Sequence, residues 1–157
     1  MTRFTKTDLE LKYLLLQKCR DFVEHRLKMV QQTIFEIQES LNSETKSSAG
    51  DKHETGRAML QLEREKVGHQ LSEIEKLKEA LNKININQSL QTVGLGSLVL
   101  TDSNNYFISI SAGKFSVDGN DYFALSPNTP IGKLLIGKQP TDKIIFRNSS
   151  FSIQRIL

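Results

Sequence analysis

The sequence has few cysteines and prolines and no long apolar run, which argues against a disulfide-bonded or membrane-spanning protein. It has 157 residues, a single cysteine (Cys19), three prolines and no tryptophan. One cysteine excludes an internal disulfide, which fits a reducing compartment, and we expect a cytoplasmic protein. No apolar run reaches the roughly 18 residues of a membrane span, so we expect no membrane association. No continuous apolar core follows the charged start, and we expect no signal peptide.

A surplus of charge of one sign is also absent, because the net charge is only +3. This value gives no reason to expect non-specific nucleic-acid binding. The distribution along the chain is uneven. Residues 1–28 hold seven Lys/Arg and four Asp/Glu, whereas residues 29–55 hold two and five. The sequence therefore predicts a segment that is basic at its start and acidic toward its end.

The first half of the chain carries a seven-residue repeat of apolar side chains. Within residues 8–42, nine of ten repeat positions are apolar and the exception is Arg20. The ten positions are Leu9, Tyr13, Leu16, Arg20, Val23, Leu27, Val30, Ile34, Ile37 and Leu41. A repeat of about 3.5 residues sustained over this length predicts a coiled-coil helix.

A second repeat occupies residues 55–86, with Leu60, Val67, Ile74 and Leu81 at seven-residue intervals. Residues 43–56 between the two repeats are small, polar and rich in turn formers. A short connection favours antiparallel neighbours. We therefore predict an antiparallel helical hairpin over residues 1–88 with its tip at 43–56. A coiled coil between two chains is the alternative that the repeats leave open.

The pattern changes after Ile86. Residues 89–157 alternate short β-like runs with turn-forming residues, which predicts five or six strands. Between them, Thr129 can cap a short helix with Pro130 at its first position, and Gly137 can end it. The whole chain is predicted to be α+β, with a helical hairpin followed by a small antiparallel β-domain at 89–157 that contains one short helix.

Two carboxylates at the predicted tip have two interpretations. Asp51 and Glu54 have the spacing of a capping box that starts the second helix. The same spacing places both on one helix face, where they can share a hard cation such as Mg²⁺. Two carboxylates alone hold Mg²⁺ weakly, so a metal site needs ligands from another macromolecule. The sequence leaves both interpretations open.

Two segments resemble the bacterial Gre transcript-cleavage factors, a family of transcription elongation factors. Gly50-Asp51-Lys52-His53-Glu54 is similar to the Gly-Asp-x-x-Glu core of their hairpin tip. The run from Thr129 to Lys138, Thr-Pro-Ile-Gly-Lys-Leu-Leu-Ile-Gly-Lys, is similar to the Ser-Pro-Leu-Gly-Arg-Ala-Leu-Leu-Gly-Lys run of their C-terminal domain. The resemblance implies that residues 89–157 have a fold like that of FK506-binding proteins.

The resemblance also implies a function. A Gre-like factor binds RNA polymerase through its secondary channel, in a complex that holds DNA, and stimulates cleavage of backtracked RNA at the RNA 3′ end. Asp51 and Glu54 would assist catalysis and share a Mg²⁺ with the polymerase, and no cofactor would bind to the factor alone. Asn128, Thr129, Pro130 and Ile131 would contact the polymerase. The protein would be a monomer and would not itself be an enzyme.

The chain departs from the family pattern at both segments. Thr55-Gly56-Arg57-Ala58 stands where Asn-Ala-Glu-Tyr is usual, and Asn128 stands where an acidic residue is usual. These changes motivate an alternative, a secondary-channel regulator or inhibitor of the same architecture that does not promote cleavage. Two further alternatives are a prolyl isomerase, against which the absence of tryptophan counts, and a structural coiled-coil oligomer.

Overall fold

The computed structural model describes the backbone of residues 5–46 and 50–157, and the side chains of residues 5–43 and 55–157. These residues form an α+β protein in which two long helices precede a six-stranded sheet and one short helix, as predicted. The elements are α1 (Lys6–Lys46), α2 (Gly50–Asn82), β1 (Leu98–Thr101), β2 (Asn105–Ile108), β3 (Gly113–Val117), β4 (Asn120–Leu125), α3 (Pro130–Leu135), β5 (Lys143–Phe146) and β6 (Ser149–Ile156).

Helix α1 begins two residues earlier than the apolar repeat predicts. The Asp8 backbone N–H donates to the Thr5 hydroxyl over 3.1 Å, and the Thr5 backbone N–H donates to the Asp8 carboxylate over 2.8 Å. This reciprocal pair is a capping box, in which each side chain satisfies an amide that the first helical turn leaves unpaired. Thr5 is therefore the residue that caps α1.

One compact unit of the chain, Val23–Lys78, contains most of both long helices. Six of the predicted repeat residues are buried in it, namely Val23, Val30, Ile37, Leu41, Val67 and Ile74, whereas Leu27, Ile34 and Leu60 are half-buried. Near one end, Lys78 Nζ lies 3.1 Å from Glu24 Oε1. Toward the other, Arg57 Nη1 donates to the Leu41 carbonyl oxygen over 3.4 Å. Both contacts join an early residue of one helix to a late residue of the other, as an antiparallel pair requires.

The other compact unit comprises Met1–Phe22 and Glu79–Leu157 and contains the sheet. Helix α2 ends in it at Asn82, four residues before the predicted end at Ile86. The physical reason lies in the contact that Ile84 makes. A Cβ atom added to Gly96 would lie 3.0 Å from the Ile84 Cγ2 atom, so Ile84 packs closely against the start of the sheet region. The apolar residue that the pattern assigned to the helix belongs to this loop.

The sheet has the strand order β3-β4-β2-β1-β6-β5. The pairings β1–β2, β1–β6, β3–β4 and β5–β6 are antiparallel, whereas β2 and β4 are parallel, with Tyr106 opposite Phe123. The prediction of a purely antiparallel domain is therefore wrong. Strands β3 and β4 form an antiparallel hairpin, β4 rather than β3 lies beside β2, and the sheet is mixed.

A cluster of buried side chains from the strands and from α3 forms the core of the sheet region. Tyr106 packs against Phe123 and Phe151, with ring centroids 6.2 Å and 5.8 Å apart. Leu135 of α3 is fully buried in the same cluster. One side of α3 therefore packs on the sheet, and the opposite side of α3 faces solvent.

The two long helices carry charged residues along their length. None of the helices in the described part of the chain has the length and apolar character needed to cross a bilayer.

Candidate functional site

The short helix α3 is held by the cap that the sequence predicts. The Gly132 N–H donates to the Thr129 hydroxyl over 3.1 Å, and that hydroxyl donates to the Ser126 carbonyl oxygen over 2.8 Å. Thr129 has extended backbone angles and Pro130 occupies the start of the helix. Proline at this position does not remove a helix hydrogen bond, because a backbone N–H here would have no partner inside the helix.

Gly132 is required by the same turn. A Cβ atom at this residue would lie 2.4 Å from the Ser126 carbonyl oxygen and 2.8 Å from the Thr129 hydroxyl. Backbone and a capping hydroxyl cannot move aside without breaking the cap, so only glycine fits. The signal for this residue was available in the sequence, as a glycine placed inside a short helix where its low helix propensity is unfavourable.

The end of α3 is tied to the segment before β1. Gly137 has a φ of +80°, the left-handed conformation that commonly ends a helix. The Gly137 N–H donates to the Val93 carbonyl oxygen over 2.9 Å, and the Val93 N–H donates to the Lys138 carbonyl oxygen over 2.9 Å. The two bonds hold the C-terminal end of α3, while the Thr129 cap holds its start.

The four residues that we predicted to bind a partner have different environments. Asn128 and Pro130 are exposed, whereas Ile131 is half-buried and packs against the core cluster. Thr129 is engaged in the cap. Leu134, one turn after Pro130, is 37% exposed. The exposed side chains of this segment include Asn128, Pro130 and Leu134, and Leu134 was not among the predicted residues.

The tip pair lies in the first turns of α2, which begins at Gly50. Asp51 therefore lies inside α2, whereas the first residue of a capping box immediately precedes the helix. A capping box that starts at Asp51 does not match the observed start of α2. The side chains of Asp51 and Glu54 lie outside the described residues. Among those that are described, no three His, Cys, Asp or Glu side chains are grouped to hold a metal ion. The shared Mg²⁺ stays a prediction.

Sequence reasoning missed a charged cluster on the face of α1 that lies against the sheet region. Arg155 Nη2 donates to Asp8 Oδ2 over 2.6 Å, and both side chains are largely buried. Burial opposes ionisation of Asp8, but hydrogen bonds from Thr5 and the Arg155 guanidinium hold the pKa of this carboxyl below its ordinary value. The pair joins the first turn of α1 to β6.

Lys12, one helical turn after Asp8, is only 1% exposed. Burial lowers the pKa of its ammonium group from 10.5 to about 8. Leu15 and Cys19 continue this buried face at the helical spacing. The seven-residue repeat does not include the face, which is why a search for repeat positions did not identify Lys12.

Cys19 is fully buried, with its Sγ atom 3.5 Å from the Ser109 hydroxyl oxygen. Burial raises the pKa of the thiol, so it stays protonated and is a poor nucleophile.

The described residues thus present a short helix, α3, that is capped at its start and carries the exposed apolar residue Leu134. The chain matches no protein-family model, and a search of curated proteins finds no significant match.

Proposed function

We propose that this protein is a Gre-like transcription elongation factor that binds RNA polymerase through its secondary channel and stimulates cleavage of backtracked RNA. The sheet region, for which we propose a fold like that of FK506-binding proteins, docks on the polymerase. The two long helices carry the tip residues toward the RNA 3′ end. In this proposal the factor acts as a cytoplasmic monomer and the polymerase performs the catalysis.

The observation that carries the proposal is the short helix α3. The run from Thr129 to Lys138 is the part of the sequence that most resembles the family, and in the structure each of its unusual residues has a defined task. Thr129 caps the helix, Gly132 permits the close turn and Gly137 ends the helix. The order of elements, two long helices before the sheet and α3, adds support.

The residue chemistry of the tip fits the Mg²⁺ that the proposal requires. Asp51 and Glu54 are three residues apart in α2, a spacing that places their Cα atoms on one helix face. They would supply oxygen ligands of the kind that Mg²⁺ prefers, with the remaining ligands from the polymerase. A second metal ion supplies charge stabilisation for phosphodiester hydrolysis.

The docking surface can be tested by measuring the affinity of fluorescently labelled protein for purified cognate RNA polymerase. Leu134→Glu places a charge on the exposed side of α3 and should weaken binding roughly tenfold or more. Ile145→Glu is the matched control, because Ile145 is an exposed isoleucine on β5, outside α3. Equal effects of the two substitutions would contradict docking through α3, and no binding of the unaltered protein would contradict the proposal itself.

Asn128 allows a more conservative version of the same test. Asn128→Asp changes no atom positions appreciably and introduces the acidic residue that the family pattern has at this place. Because Asn128 is exposed, the substitution should not affect folding. We expect tighter polymerase binding, with a stronger dependence on salt concentration. Unchanged affinity would remove Asn128 from the docking surface.

A second candidate function is a secondary-channel regulator or inhibitor that does not promote cleavage. Arg57 favours it, since this residue stands where the family pattern has glutamate. In the structure Arg57 donates to the Leu41 carbonyl oxygen over 3.4 Å, a contact that joins the two long helices. Polymerase binding without stimulation of cleavage would select this candidate.

A further inference from the structure

An open groove with a cavity volume of about 740 Å³ lies between the first four turns of α1 and the segment that follows α2. Its apolar lining is provided by Leu9, Tyr13, Leu14, Leu16, Ile84 and Ile86. Ligand sites for small molecules fall in the range of roughly 300–1,000 Å³ and combine apolar walls with a few polar groups. The groove has the size and lining of such a site.

The groove exists because the apolar repeat of α1 extends further than α2 does. If the antiparallel helices pair Leu16 with Leu81, two of the repeat positions, then Tyr13 faces position 84 and Leu9 faces position 88. Helix α2 ends at Asn82, and the chain continues through turns. The first repeat positions of α1 therefore have a short loop beside them in place of a helix.

The side chains along this part of α1 are unusually apolar for an exposed surface. Tyr13 is 52% exposed and Leu14 is 46% exposed, while Leu15 and Leu16 are buried. A helix that is apolar on nearly all sides is normally covered on nearly all sides. The exposed side of this stretch is therefore a surface that a ligand would cover.

Arg20 supplies the charge at one end of the groove. It is the only charged residue among the ten repeat positions of α1, and its side chain lines the cavity. Glu10 lines the cavity ten residues earlier, which corresponds to about 15 Å along the helix axis. The ion pairs formed by the described residues involve neither side chain. A guanidinium at the end of an apolar groove is complementary to an anionic group attached to an apolar body.

We propose that this groove binds a single-chain amphiphile with an anionic head, such as a fatty carboxylate. The head pairs with Arg20, and the chain lies along Leu9, Tyr13 and Ile84. Glu10 repels an anion and so determines the direction in which the ligand enters. Asn85 and Asn87 provide amide groups at the rim of the groove. This site is independent of the polymerase-binding function.

The test is calorimetric titration of the full-length protein with dodecanoate below its micelle-forming concentration, and with dodecanol as the neutral analogue. We expect saturable binding of dodecanoate and roughly tenfold weaker binding of dodecanol, because a hydrogen-bonded charge pair contributes about that factor. No saturable binding of dodecanoate would overturn the proposal, as would equal affinities for the two compounds.

Three variants locate the site. Arg20→Gln should reduce dodecanoate affinity roughly tenfold without changing the affinity for dodecanol. Leu14→Glu, at a side chain that is already half exposed, should weaken the binding of both compounds. Lys18→Gln removes a cation from the same helix outside the groove lining and is the matched control, with unchanged affinities expected. Equal losses in the Arg20 and Lys18 variants would show non-specific attraction of the anion and would contradict the site. Far-ultraviolet circular dichroism confirms that each variant is folded.

Discussion

At the scale of single residues, the burial of Lys12 makes folding stability depend on pH. The pKa of Lys12 is about 8 in the folded protein and takes its ordinary value of 10.5 in the unfolded chain. Between these values the unfolded chain binds more protons than the folded protein, so stability rises with pH. Below about pH 8 both states carry the charge, and the full cost of burying it is present.

We therefore predict that Lys12→Met removes this rise. We measure the free energy of unfolding with urea at about pH 7 and at about pH 9. Between these two pH values it should rise by roughly 1 kcal/mol more in the unaltered protein than in the variant. Burial raises the pKa of Cys19 and of Tyr122, which lowers stability at still higher pH. Both residues are present in the two proteins, so their effect cancels. Parallel pH profiles for the two proteins would contradict the role assigned to Lys12.

Gly132 makes a second prediction at this scale. Gly132→Ala forces a methyl group against the Ser126 carbonyl oxygen and should lower stability by about 1–3 kcal/mol. Gly68→Ala is the control, because a Cβ atom there meets only the flexible end of Arg64, at 3.4 Å, within α2. The control should raise stability by about 0.5–1 kcal/mol through helix propensity. Thermal melts of the two variants should therefore shift in opposite directions.

At the scale of elements, the buried repeat residues hold the two long helices together. Ile74 is 1% exposed, so Ile74→Ala should cost about 2–5 kcal/mol through lost burial and the cavity that remains. Met59 lies on the same helix but is 65% exposed, and Met59→Ala should change stability by less than about 0.5 kcal/mol. Chemical denaturation followed by the helical circular dichroism signal measures both. Equal effects would mean that Ile74 does not pack as described.

The elements also show what local sequence patterns can and cannot predict. The seven-residue repeat identified buried residues between the two long helices such as Val23, Val30, Val67 and Ile74. The Thr129-Pro130 pair identified the cap of α3. Both features depend on neighbours in the sequence. The parallel pairing of β2 with β4 and the early end of α2 depend on distant contacts. Ile84, for example, leaves the repeat because it packs against Gly96.

The candidate site likewise contains residues whose roles local sequence patterns predict and residues whose roles depend on distant contacts. The residues that shape α3 follow local rules, and the sequence predicted Thr129 and Pro130 in their observed roles. Lys12 was not predicted, because its burial arises from packing of α1 near β6 rather than from the repeat. The ion pair of Asp8 with Arg155 joins residues 147 positions apart. No spacing rule identifies such a pair.

At the scale of the whole molecule, the chain forms two compact units. One holds most of the paired helices, and the other holds the sheet together with the first turns of α1. In the proposed function the first unit carries the tip carboxylates and the second carries α3 as the docking element. The two tasks can therefore be separated by mutation, since Leu134→Glu should affect binding and substitution of the tip should affect cleavage alone.

The most direct test of this account is RNA cleavage in a stalled, backtracked elongation complex of the cognate polymerase in the presence of Mg²⁺. The unaltered protein should stimulate cleavage at the RNA 3′ end. The double variant Asp51→Ala/Glu54→Ala should bind the polymerase equally well and lose the stimulation, because the oxygen ligands for the shared metal are gone. A protein that binds the polymerase without stimulating cleavage, or a double variant as active as the unaltered protein, would contradict the account.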